Sequence, residues 1–126
     1  MKKVIQTAEA PKAIGPYSQA IEAGDVIFLS GQIPIDPATG ELVGGDIRGQ
    51  ARRVLDNLKR VLESQGLSMV QVVKTTIFLK DLGNFGPVNE IYSTYFPEEP
   101  PARSTVQVAG LPRNADIEIE AIAFKG

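Results

Sequence analysis

Residues 46–66, DIRGQARRVLDNLKRVLESQG, decide the fold, because their periodicity predicts a helix with one buried face. The apolar residues of this stretch recur at spacings of three and four, which is the repeat of one side of an α-helix. They are Ile47, Ala51, Val54, Leu55, Leu58, Val61 and Leu62. Asp46 can cap the start of the helix and Gly66 can end it. The stretch therefore predicts an amphipathic helix over residues 47–65 whose charged side faces solvent.

On either side of this helix the sequence alternates in the manner of β-strands. A shorter apolar stripe over residues 85–96 predicts a second helix, with Pro87 in the first turn, where proline is tolerated. The predicted strands are residues 3–7, 17–22, 26–30, 70–80, 103–109 and 116–124. This order predicts one α+β domain, residues 1–126, with two helices packed on one face of a mainly antiparallel sheet.

The other face of the predicted sheet has a mixed character. Its polar residues, by strand alternation, are Lys74, Thr76, Arg103, Thr105, Gln107, Glu118 and Glu120. The apolar residues that share their phase are Val72, Phe78, Ile122 and Phe124. A surface of this kind is typical of a subunit interface that also contains polar pockets. We therefore expect an oligomer rather than a monomer.

The composition limits the chemistry that the chain can perform. A net charge of −2 argues against a general binder of nucleic acid or anionic membranes. The 126 residues include no Cys and no His, which excludes disulfides, thiol nucleophiles, Cys/His zinc sites and histidine acid–base catalysis. The sequence shows neither an apolar run of the roughly 18 residues that a membrane span needs nor a signal-peptide core. The expected compartment is the cytoplasm.

Arg103 is the most prominent candidate for ligand binding. Pro100 and Pro101 restrict the backbone before it, so the arginine opens a strand just after a rigid corner. A guanidinium fork that is held in this way suits a planar carboxylate. The alternative is an arginine at the surface in an exposed ion pair.

Each of the other candidate site residues, taken alone, gives weaker evidence for ligand binding. Gly31 permits a ligand to approach the backbone closely, although most such glycines only serve turns. Glu118 and Glu120 lie about 7 Å apart on one strand face, as many surface carboxylates do. Tyr17 can be a core aromatic whose hydroxyl reaches water, and Asn89 can be a surface amide beside the apolar stripe of the second helix.

Six segments occur in the order in which one known family carries them. They are AIGPYSQA, FLSGQIPIDPATGEL, QARRVLDNLKRVLESQGLSMVQVVKTTIFLKDL, FGPVNEIYSTYF, PPARSTVQVAGLP and IEIEAIA. Together they cover essentially the whole chain, and in them the sequence resembles the reactive intermediate deaminase A (RidA) family, also called the YjgF family. The resemblance implies a fold like that of bacterial chorismate mutase and a homotrimer whose sheets line a central barrel. The ligand sites would then lie between subunits.

The resemblance also implies an activity and a set of site residues. The activity is the hydrolysis of 2-imino acids, released by pyridoxal-phosphate-dependent dehydratases, to 2-oxo acids and ammonia, without a metal or cofactor. By position, Arg103 is the carboxylate-binding arginine and Glu118, rather than Glu120, is the acidic residue that acts on water. Tyr17 and the backbone amide of Thr105, where relatives often have cysteine, would orient the reacting end. The other pocket positions are Ser30, Gly31 and Asn89.

Two other functions are compatible with the same residues. One is a trimeric module that binds small carboxylates such as 2-oxo acids without catalysis. The other is a ribonuclease or translation inhibitor, an activity attached to some relatives, which the negative charge and the lack of His disfavour. A coupled assay with threonine dehydratase would separate catalysis from binding.

A simple hairpin of the last two strands, turning near position 113, would keep two of the candidates apart. Glu118 would lie roughly 17 Å along the strand from Arg103. Either another strand pairing or a neighbouring chain would then have to complete the site.

Overall fold

The computed structural model describes residues 1–126, which form six strands and two α-helices. The strands are β1 (Lys2–Ile5), β2 (Ala20–Ala23), β3 (Val26–Gln32), β4 (Val72–Leu79), β5 (Ala102–Gln107) and β6 (Ile117–Phe124). The helices are α1 (Ile47–Glu63) and α2 (Phe85–Tyr95). The predicted α+β class, with two helices against a mainly antiparallel sheet, is confirmed.

The strands form one sheet in the order β1-β2-β3-β6-β4-β5. All neighbouring pairs are antiparallel except β4 and β5, which run parallel. Of the pairings that the sequence left open for the last two strands, the simple hairpin is excluded, because β4 lies between β5 and β6. The reason lies in burial: β6 alternates Ile117, Ile119, Ala121 and Ala123 under the helices, so it gains most at the centre, whereas the more polar β5 forms an edge.

Helix α1 has the predicted apolar stripe buried against β3 and β6. The Asp46 carboxylate accepts a hydrogen bond from the Arg48 amide, which caps the helix start, and Gly66 follows its end at a φ of +72°. Asn57, which is fully buried in the same helix, donates to the carbonyl oxygen of Ile35 at 3.0 Å. This bond fixes the loop that leaves β3, next to the site described below.

Helix α2 packs on the same face of the sheet as α1. Its buried residues include Val88, Ile91 and Tyr92, and Pro87 lies in its first turn as predicted. The Tyr92 hydroxyl and Thr75 Oγ1 of β4 are 2.6 Å apart in a buried hydrogen bond that joins helix to sheet. Neither α1 nor α2 is long and apolar enough to cross a bilayer.

The face of the sheet without helices mixes apolar and polar side chains, as predicted. Phe28, Phe124 and Val106 leave 49%, 46% and 41% of their surface exposed there, beside Glu118 and Glu120. An exposed set of this size on one face is unusual for a monomer and typical of an interface. It supports the expectation of an oligomer.

The predicted faces of the β5 residues are wrong. Arg103 pairs with Thr75, and Thr105 pairs with Ile77, so these β5 residues share the helix-covered face, together with Gln107. Val106 points to the open face instead. Alternation along a strand separates two sets of side chains, but it does not say which set faces the helices.

The predicted face of Val72 is also wrong. It pairs with Ala123 and is only 5% exposed, because a bulge shifts the ladder between Val72 and Lys74. One inserted residue reverses the faces of everything on one side of it. The residue that the bulge turns outward is Val73.

Candidate functional site

A cleft of about 680 Å³ opens where β3 and β6 meet the loop before β2. Four of the predicted site residues line it together: Tyr17, Ser30, Gly31 and Glu118. Glu120 of β6 also reaches its wall. Side chains from three distant parts of the sequence thus meet in one place.

A β-bulge in β3 shapes the wall of this cleft. Ser30 and Gly31 together stand opposite the single residue Glu120 of β6, because the register shifts there. Bulges of this kind redirect side chains beside functional sites. The Ser30 hydroxyl donates to the carbonyl oxygen of Ser18 at 2.6 Å, and the Ser30 amide donates to that of Gln19 at 3.0 Å. Both bonds tie β3 to the loop that carries the cleft's tyrosine.

Gly31 allows the Glu118 side chain to lie directly on the β3 backbone. A Cβ atom at position 31 would be only 2.8 Å from Glu118 Cδ, closer than carbon atoms approach in real structures. Burial raises the pKa of Glu118 above its usual range, and the neighbouring charge of Glu120 raises it further. The carboxyl group is therefore a stronger base than an exposed one once it is ionised.

Gln19, which is not among the predicted site residues, holds the loop that carries Tyr17. It is only 3% exposed; its Oε1 accepts from the Thr7 amide at 2.6 Å and its Nε2 donates to the Pro11 carbonyl at 2.8 Å. Tyr17 itself is 55% exposed at the mouth of the cleft. A buried amide that satisfies several backbone groups fixes a loop without regular structure.

Arg103 lies elsewhere, between β5 and α2. Its Nη1 donates to Asn89 Oδ1 at 2.8 Å. Its Cζ is 5.3 Å from the ring centroid of Phe85 and 4.8 Å from that of Tyr92. A cavity of about 400 Å³ lies beside it, walled by Asn89, Tyr92 and Pro101. The guanidinium is thus oriented by three side chains of α2.

The aromatic partners of Arg103 were predicted only as part of an apolar stripe. Burial raises the pKa of Tyr92, while its hydrogen bond to Thr75 and the positive charge of Arg103 act in the opposite direction. Thr105, two residues beyond Arg103 on the same face, has a buried hydroxyl oxygen without a hydrogen-bond partner. The spacing of Phe85 and Tyr92 along α2 was visible in the sequence. The sequence did not show that Arg103 of β5 lies opposite these two rings.

One chain does not bring Arg103 and Glu118 together. They lie on opposite faces of the sheet, with β4 between their strands. From the register, their backbones are about 10 Å apart along the strands and about 10 Å apart across them. Tyr17, Ser30 and Gly31 belong with Glu118, while Asn89 and Thr105 belong with Arg103.

Gly31→Ala is expected to destabilise the fold by about 1–3 kcal/mol, because the new methyl group collides with the Glu118 side chain. Gly44→Ala is the matched control, since a Cβ there meets nothing within 4 Å. Chemical denaturation of both variants measures the difference. Equal stability of the two variants would contradict the close packing of Glu118 on β3.

The α+β domain thus carries two groups suited to a binding or catalytic site, a half-buried carboxyl in a cleft and a guanidinium that is oriented separately. A family model described as Endoribonuclease L-PSP matches residues 7–125. The chain belongs to this family, which confirms the resemblance to the RidA/YjgF proteins. A RutC family protein of Pyrococcus horikoshii is 57% identical over 125 residues, covering 99% of both chains. A Mus musculus protein named 2-iminobutanoate/2-iminopropanoate deaminase is 50% identical, covering 100% of this chain and 93% of the relative.

Solved structures agree with this assignment over the full length. A Thermotoga maritima protein superposes with a TM-score of 0.98 at 58% identity, covering 100% of this chain and 99% of the other. A Yersinia pestis protein of the conserved Rid family gives 0.96 at 51%, covering 98% and 99%. Escherichia coli TdcF with bound serine gives 0.93 at 46%, also covering 98% and 99%.

Proposed function

We propose that this chain is an imine deaminase that hydrolyses 2-iminobutanoate and 2-iminopropanoate to 2-oxo acids and ammonia. The observation that carries the proposal is the identity of 50%, over the whole chain, to the mouse protein named for this activity. The half-buried Glu118 and the oriented Arg103 supply the two groups that the reaction needs, a base and a carboxylate receptor.

The reaction is feasible without a metal or cofactor. An iminium carbon is already electrophilic, so the protein mainly has to hold the substrate and position water. Arg103 binds the substrate carboxylate through two parallel hydrogen bonds. Glu118 takes a proton from water as the water oxygen bonds to the imine carbon, and then returns it to the nitrogen. The C–N bond then breaks with its electron pair going to nitrogen, and the C=O bond forms as the second water proton passes from the oxygen to Glu118. Glu118 gives this proton to the released ammonia, which leaves as ammonium, so that water is the only reactant consumed besides the imine.

The complete site lies between chains of a homotrimer in this proposal. Arg103 and Glu118 are on opposite faces of one sheet, and the open face carries exposed Phe28, Phe124 and Val106. Strand β5 is an edge, so its arginine can meet the cleft of a neighbouring chain. A contact between two different surfaces of identical chains closes into a ring when the rotation permits.

Sedimentation equilibrium should give about three times the 13.6 kDa of one chain. Phe28→Asp should shift the protein towards monomer, because it buries a charge at the open face. Val70→Asp is the control, because Val70 is exposed beside α1, away from that face. A wild-type monomer at micromolar concentration would contradict the inter-subunit site.

A coupled assay tests the proposed function directly. Threonine dehydratase releases the imine from threonine, and a catalytic amount of this protein should speed the release of ammonia. Binding of 2-oxobutanoate without acceleration would instead support the carboxylate-binding module, which the bound serine in Escherichia coli TdcF favours as second candidate. Cleavage of RNA by the purified protein would support the ribonuclease hypothesis, which the absence of His from the chain disfavours.

A further inference from the structure

We propose that Phe85 and Tyr92 are positioning residues, which hold the Arg103 guanidinium in the orientation that receives the substrate carboxylate. The inference rests on the proposed imine hydrolysis and assigns to one stripe of α2 a role beyond packing. Neither residue needs to touch the substrate, because each acts through the arginine.

The geometry of α2 supplies the first support. Phe85, Asn89 and Tyr92 are spaced by four and then three residues, so they lie on one side of the helix. All three contact Arg103: its Cζ is 5.3 Å and 4.8 Å from the two ring centroids, and its Nη1 donates to Asn89 at 2.8 Å. Both ring distances are inside the range of about 6 Å in which a guanidinium over a ring is attracted to its face.

The Tyr92 ring is itself fixed by the core. Only 4% of its surface is exposed, and its centroid is 4.7 Å from that of Phe96. Its hydroxyl forms the 2.6 Å hydrogen bond with Thr75, and Thr75 is the residue of β4 that pairs with Arg103 across the ladder. The same row of the sheet therefore positions both the arginine and the ring on which it rests.

Both rings lie within cation–π distance of the guanidinium, and Asn89 is its one side-chain hydrogen-bond partner, so most of its N–H donors are left for a ligand. The guanidinium has five N–H donors, all directed along its plane. One of them, on Nη1, donates to Asn89 Oδ1. A carboxylate can form two parallel hydrogen bonds only if this plane is held in the right direction. Replacing a ring by an aliphatic side chain keeps the charge of Arg103 but frees its rotation, which weakens the paired contact.

Tyr92→Leu should raise KM for 2-iminobutanoate and Kd for 2-oxobutanoate by the same factor, on the order of tenfold. Phe85→Leu should act in the same direction but less, since Phe85 is 40% exposed. Tyr92→Phe keeps the ring but loses the bond to Thr75, so it should recover most of the binding that Tyr92→Leu loses. Tyr95→Leu is the matched control: Tyr95 is on α2 and bonds Asp56 at 2.7 Å, so its loss should lower Tm but leave KM and Kd unchanged.

A double-mutant cycle with Arg103→Lys decides whether the rings act through the arginine. In the lysine background, Tyr92→Leu should change Kd for 2-oxobutanoate by less than about twofold. The inference is overturned if Tyr92→Leu lowers Tm without changing Kd, or if it changes Kd equally in both backgrounds. Should Tyr92→Leu not fold, Phe85→Leu decides through the same cycle. A wild type that binds 2-oxobutanoate but does not hydrolyse the imine would overturn the proposed function alone, because the Kd values still test the positioning.

Discussion

Arg103→Ala is expected to lower kcat/KM for 2-iminobutanoate by roughly 30- to 150-fold, and Arg103→Lys should lower kcat/KM nearly as much. A bidentate pair of guanidinium and carboxylate in a partly dehydrated site contributes on the order of 2–3 kcal/mol, which corresponds to that factor if the contact persists in the transition state. Lysine retains the charge but offers a flexible point donor instead of a planar fork. The measurement is the rate of imine hydrolysis, with trimer formation checked by sedimentation.

Arg60→Ala serves as the control for this prediction. Arg60 is an exposed arginine of α1 that pairs with Glu63 at 3.0 Å, and exposed ion pairs of this kind contribute little. The variant should match the wild type in both activity and assembly. If Arg103→Ala were equally active, the arginine would have a role only in packing, and its proposed contact with the substrate carboxylate would be wrong.

Glu118→Gln is expected to lose about 10²- to 10⁴-fold in hydrolysis while it still folds and binds 2-oxobutanoate. The amide preserves the shape of the side chain on Gly31 but cannot accept a proton from water. Glu120→Gln should be much milder, because Glu120 is the more exposed of the two carboxylates. If the two variants rank in the opposite order, Glu120 rather than Glu118 is the base.

The raised pKa of Glu118 adds a pH dependence to this prediction. Burial first, and the charge of Glu120 second, make the folded protein hold the proton of this carboxyl to a higher pH than the unfolded chain does. Stability should therefore fall as pH rises from the usual pKa of glutamate to the raised one. Glu118→Gln cannot ionise, so it should remove this fall and melt at a higher temperature than the wild type at neutral pH. Thermal melts across pH test the sign.

The pH dependence of wild-type activity should also report the ionisation of Glu118. Glu118 must be ionised to take a proton from water, so kcat/KM should decline on acidification at a pH above the usual glutamate range. A profile that is flat down to the ordinary pKa of glutamate would contradict the assignment of Glu118 as the base.

Much of the fold followed from local patterns in the sequence. The stripe in residues 47–65 predicted α1 to within two residues of its observed end at Glu63, because helix periodicity is written in consecutive residues. The strands were found, but their bounds were less accurate: the strand predicted over residues 17–22 begins only at Ala20. The segment before it is held instead by Gln19, through side-chain bonds that no periodic pattern encodes.

The pairing of the last strands was not predictable in the same way. The sequence left open whether β5 pairs with β6 in a hairpin, and the structure places β6 between β3 and β4 instead. Only the total burial of the assembled sheet favours the central position for the most apolar strand. The prediction of the two faces of β5 failed for the same reason. Alternation separates the side chains into two sets, but only the helices that cover one face decide which set is inside.

By itself, the sequence determined the α+β class, the two helices, the family and the residue types available for chemistry in a chain without Cys or His. Only the tertiary structure decided that Glu118 rests on Gly31 in one cleft while Arg103 lies across the sheet, held by α2. The physical reason is that periodicity and composition are properties of neighbouring residues. Contacts between distant segments depend on strand order, register and a bulge, which the packing of the whole chain selects.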